Sequence, residues 1–131
     1  TYEFVENGEF IDICINFNLY IESNINAGNI KAGDIKSWNI NSKNIKACNI
    51  KACNIKALNI KACNINAGNI KAKDINAYDI NAGNINALDI KFYSVCFSRK
   101  NFICNSIKCI RKNSKYFCLD SDVVINSKKC I

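Results

Sequence analysis

Between Asn24 and Tyr93 isoleucine falls on every fifth residue, from Ile25 to Ile90, fourteen times without a miss. Asn or Asp precedes each Ile, and Lys or Asn follows it. Two residues after each Ile stands Ala, except at Ser37, Ser42 and Phe92. A period of five matches neither a helix nor a plain strand. Residues two apart in an extended segment point to the same side, so Ile and Ala share one side and the Lys or Asn between them takes the other. The remaining two positions, such as Gly-Asn, Gly-Asp, Cys-Asn and Tyr-Asp, suit a corner. Each pentad is then an Ile-x-Ala edge plus a corner. No pentad can bury its own Ile. Stacked coils can, through continuous ladders at about 4.8 Å per coil.

The expected core is therefore the ladder Ile25, Ile30, Ile35, Ile40, Ile45, Ile50, Ile55, Ile60, Ile65, Ile70, Ile75, Ile80, Ile85 and Ile90. Residues 10–21, FIDICINFNLYI, alternate strictly, with Ile11, Ile13, Ile15, Phe17, Leu19 and Ile21 on one side. That pattern predicts a capping strand over the N-terminal end within residues 1–23, because an uncovered first coil exposes its core and a strand edge. The array is expected to run over residues 24–110. Its register shifts near 95–97: Val95 keeps the five-residue phase, and Phe97, Phe102 and Ile107 are displaced by two. Phe102-Ile103-Cys104 and Ile107-Lys108-Cys109 then read as Ile-x-Ala equivalents. Residues 111–131 form a cap or tail.

The stretch 24–93 resembles the pentapeptide-repeat family, whose unit is roughly Ala-(Asp/Asn)-Leu-x-x. The matching pairs are Asn29-Ile30, Asp34-Ile35, Asn49-Ile50 and their equivalents. The resemblance implies an all-β fold, a right-handed quadrilateral parallel β-helix of about twenty residues per coil. The segment KFYSVCFS resembles the aromatic close of phage-type members. In this chain the small residue is displaced. Were Ile in the family's central slot, Trp38, Lys43, Lys73 and Tyr78 would point inward, so Ile and Ala are expected inward together.

With twenty residues per coil, Lys31, Lys51, Lys71 and Lys91 stack into a polyanion face, and Trp38, Leu58 and Tyr78 into a contact corner. With fifteen, Tyr78 aligns with Tyr93 and Lys43 with Lys73. The larger coil follows from the resemblance.

The net charge of +7 is uneven: residues 1–24 carry −5, residues 25–94 carry +6 and residues 95–131 carry +6. With no His, ordinary Ser-His and Cys-His nucleophile pairs are excluded. The nine Cys include no C-x-x-C, so neither a metal site nor another cofactor is expected. In a four-sided coil Cys48, Cys53 and Cys63 project from different faces. Nothing resembles a signal peptide, and no apolar run is long enough to span a bilayer. Reduced thiols in a cytoplasmic setting are expected, or a place in a virion if the protein is phage-encoded.

These features point to a non-enzymatic structural or protein-interaction scaffold, whose partner is itself, by dimer or end-to-end association, or another protein. The alternative is polyanion or nucleic-acid binding by the basic faces. Gyrase modulation, known in the family through resemblance to DNA, needs an acidic surface and is opposed by the positive array.

Overall fold

The computed structural model describes residues 2–3, 5–6, 9–10, 12–21 and 23–126, with side chains from Asp12 onward. Ile11, Lys128, Lys129 and Cys130 lie outside the described residues. The strands are β1 (Tyr2–Glu3), β2 (Val5–Glu6), β3 (Glu9–Phe10), β4 (Ile13–Cys14), β5 (Leu19–Tyr20), β6 (Asn24–Asn26), β7 (Asn29–Lys31), β8 (Asp34–Cys104), β9 (Ser106–Cys109), β10 (Lys115–Cys118) and β11 (Val123–Ile125). A β2–β3 antiparallel pair apart, they pair in parallel as a β-solenoid of about seven turns. No helix among the described residues is long and apolar enough to cross a membrane.

The inward positions are those the repeat predicts. All fourteen array isoleucines are at most 2% exposed, and most of the Ala positions are buried with them. Ile and Ala do point inward together. Where Ser replaces Ala, the hydroxyl finds acceptors: Ser37 Oγ donates to the Ser23 carbonyl at 2.7 Å, and Ser42 Oγ to the Gly28 carbonyl at 2.7 Å. A buried hydroxyl without such a partner would be costly.

The turn is smaller than twenty residues. Asn24, Ile25 and Asn26 pair with Asn39, Ile40 and Asn41, and Ile30 pairs with Ile45. Three pentads, fifteen residues, therefore close each turn of the central array, which has three faces and not four. Trp38, Lys43 and Cys48 each donate a backbone N–H to the residue one turn below, at 2.7–2.9 Å, so the ladder continues around the corner without a break. Inside the turn the Ile side chains of all three faces join one core cluster.

Turns lengthen at the ends. Ile13 pairs with Ile30 and Leu19 with Ile35, while Asp89 pairs with Ser106 and Ile90 with Ile107. The two extra residues after Ile90 are the shift of two read from the sequence, and Phe102 and Cys104 are buried as predicted, whereas Phe97 is only half-buried and Cys109 is exposed. Val95 is not: it is exposed, and Cys96 and Ser98 turn inward instead. The wider turn holds Phe92 in a slot that takes Ala elsewhere, with Phe92 and Phe102 both packed against Tyr116 at 6.2 and 6.4 Å between ring centroids.

The segment 10–21 is not one capping strand. It breaks into β4, a bend at Asn16–Phe17, and β5, and these two strands form rungs of an earlier turn. Phe17, expected inward, is 68% exposed at that bend. At the other end β10 pairs with Val95–Ser98 and β11 with Phe102–Cys104, so residues 115–125 add rungs to the solenoid.

Candidate interaction surfaces

A fifteen-residue turn sorts the outward side chains into three faces, named here by their first array isoleucine. Lys31 and Lys91 belong to the Ile30 face, Lys51 to the Ile35 face and Lys71 to the Ile25 face. The four therefore form no common polyanion face. Trp38, Leu58 and Tyr78 likewise occupy three different corners, each exposed by more than half. Identical pentads stack Ile on Ile at any multiple of five, so the spacing of Ile and Asn carries no information about which outward residues meet.

The columns that do form are different. On the Ile30 face Lys31 stacks on Lys46, Lys61 follows at the same step, and Lys91 stacks on Lys108. A groove of about 740 Å³ runs between this column and Asp12, Asn29, Asn44, Asn59, Asp74 and Asp89. At the adjoining corner Cys48 and Cys63 occupy successive turns, contrary to their expected separation, and Tyr78 stacks on Tyr93 at 5.4 Å. The Arg111 guanidinium lies 5.9 Å from the Tyr93 ring centre, within cation–π range.

The residue before each Ile builds an amide ladder. On the Ile25 face Asn39, Asn54, Asn69, Asn84 and Asn101 each donate through Nδ2 to the Asn Oδ1 one turn below, at 2.5–3.0 Å. Every donor points toward the N-terminus, so the bonds polarise one another in a single direction. The other two ladders are bounded by acids at both ends. Asn29 donates to Asp12 Oδ1 at 2.9 Å, Asn44 to Asn29 and Asn59 to Asn44. Asn59 then presents its oxygen to the Asp74 carboxylate. Turned over, its nitrogen reaches Asp74 Oδ2 at 3.0 Å but no longer donates to Asn44. On the Ile35 face Asn49 donates to Asp34 and Asn64 to Asn49, and Asn64 faces Asp79 with the same conflict. A run of amides between two carboxylates always leaves one acceptor against another.

Replacing Asp79 by Asn resolves this in one step. The new amide donates to Asn64, and its oxygen keeps the backbone N–H of Val95, now 3.1 Å from Asp79 Oδ1. D79N should raise stability by about 1 kcal/mol, the usual worth of one such bond. Thermal unfolding checks this, and a lowered melting temperature would contradict the ladder reading.

The thiols divide sharply by burial. Cys96 and Cys104 are buried. Burial pushes the Cys96 thiol well above the ordinary range, helped by Cys104 and Cys109; burial and then Asp89 raise that of Cys104. Both are inert packing groups, whereas Cys14, Cys48, Cys53 and Cys109 are exposed. Among the described residues no group of three or more Cys, Asp or Glu comes together to hold a metal ion.

The Ile35 face carries Trp38 at its corner. Its corner runs Trp38, Cys53, Gly68, Gly83, from the largest side chain to none. A Cβ on Gly68 would lie 2.6 Å from the Cys53 carbonyl oxygen, and one on Gly83 2.7 Å from that of Gly68. A second groove, of about 670 Å³, is lined by Trp38, Cys53, Gly68 and Arg99 among others. Only the fifteen-residue turn brings these residues into line, which is why spacing by twenty missed them.

No protein-family profile, curated protein or solved structure matches the chain.

Proposed function

We propose that the chain is a non-enzymatic protein-interaction scaffold, a three-sided variant of the pentapeptide-repeat architecture that associates through its ends. One observation carries this reading. The central array buries every Ile, whereas the last turn leaves Phe117, Leu119, Val124 and Ile125 exposed, Leu119 by 64%. Among the described residues β9, β10 and β11 pair with β8 alone, and an unpaired strand edge can template pairing with another chain. Charge favours joining unlike ends, because residues 1–24 carry −5 and residues 95–131 carry +6. Such steering weakens as salt shortens the range of electrostatic attraction.

Sedimentation velocity across concentration tests the reading. The sedimentation coefficient should rise with protein concentration at low salt, and Leu119→Asp should suppress the rise. A single species independent of concentration at low salt would reject end-to-end association.

A further inference from the structure

We propose that the groove on the Ile35 face binds single-stranded nucleic acid, one base stacking on Trp38 and the flanking phosphates meeting Lys36, Lys51 and Arg99. This goes beyond the scaffold reading and does not depend on it, since it concerns the side of the rod and not its ends.

The groove has a shape and a charge. Its floor is made of small residues, Ala52, Ala67 and Gly68. One end is aromatic: Trp38 and Tyr20 are 60% and 62% exposed there. Lys36, Lys51 and Arg99 also line it. Among the described residues no carboxylate lines it, so three cations face the space without an opposing charge. Arg99 is also held in place. Its Nη1 donates to the Asn81 side-chain oxygen at 2.9 Å, a neutral partner that orients the guanidinium.

The larger groove on the Ile30 face offers no such match. Its lysines face Asp12, Asp74 and Asp89 across the groove, and no aromatic side chain lines it. An exposed indole beside clustered cations fits a ligand with a planar face and a negative charge in each unit. A single strand supplies both. Stacking on an aromatic side chain tolerates any base, and the phosphates bind by charge. A duplex keeps its bases paired and stacked on one another, out of reach of the indole.

Trp38 is the chain's only tryptophan, so its fluorescence reports this groove alone. A thymidine decanucleotide titrated at about 50 mM salt, where counterion release favours binding, should quench it. Arg99→Gln combined with Lys51→Gln should weaken the affinity roughly tenfold, as expected when two phosphate contacts are lost. Both side chains face solvent, so the variant should keep the parent's circular dichroism. Trp38→Ala, followed by anisotropy of a labelled decanucleotide, should also bind more weakly. Inorganic polyphosphate of matched charge should compete without quenching. Absence of quenching by the decanucleotide would overturn the proposal. So would binding that survives both Trp38→Ala and the double variant, because the strand would then lie elsewhere on the basic surface.

Discussion

Ile60→Ala should lower the free energy of unfolding by about 2–5 kcal/mol, the range for emptying a packed aliphatic site. Ile60 is 2% exposed and sits midway along the Ile30 face, between Ile45 and Ile75. Domains of this size have about 5–15 kcal/mol to lose, so the change is a large fraction of the total. The site cannot collapse to fill the void, because its walls are tied to the turns above and below by backbone hydrogen bonds. Ile60→Val keeps the β-branch and removes one methyl group, and should cost about 0.5–1.5 kcal/mol. Urea unfolding of the two variants measures the difference. An Ile60→Ala protein within about 1 kcal/mol of the parent would mean that the three faces do not interlock as described.

Gly68→Ala should destabilise by about 1–3 kcal/mol, as overpacking does in a rigid site. Two effects compete there. Alanine stiffens the unfolded chain, which by itself would stabilise by about 0.4–1 kcal/mol. Against that, the new Cβ would lie 2.6 Å from the Cys53 carbonyl oxygen. That neighbour is backbone, fixed by the ladder, and cannot swing aside as a long side chain would. The steric cost wins. The same urea titration decides it, and a more stable Gly68→Ala protein would show that this corner has slack. Exposed corners such as Lys43 already carry long side chains, so the penalty is local to the stretch where Gly68 and Gly83 follow one another.

What the sequence revealed and what it hid have a single physical cause. Burial depends on which side of the backbone a residue faces, and the Ile-x-Ala pattern states that directly. All fourteen isoleucines are buried accordingly. The displacement at Phe102 and Ile107 was legible for the same reason, since large residues mark the inner side. Stacking depends on the turn length, and fourteen near-identical pentads are silent about it. The corner residues alone break the degeneracy. The Tyr78–Tyr93 contact at 5.4 Å is the sign that fifteen was correct. A turn of twenty would align the polyanion face and the contact corner; the turn of fifteen separates their residues and aligns the Trp38 groove instead. The segment 10–21 hid its break because alternation reads alike in a straight strand and in a bent turn, and Phe17 is as apolar as its inward neighbours.

The two periods of the array act on different scales of change. Losing one pentad would leave every remaining Ile facing inward, yet each later residue would move to the next face. The Lys column, the amide ladders and the Trp38 groove would be cut and rejoined to the wrong partners. Losing three pentads would shorten the rod by one turn and leave the alignment of the faces unchanged. A gene encoding such a rod can therefore drift in length by steps of one turn while its surface keeps its meaning, whereas the smaller step scrambles the surface and spares the core.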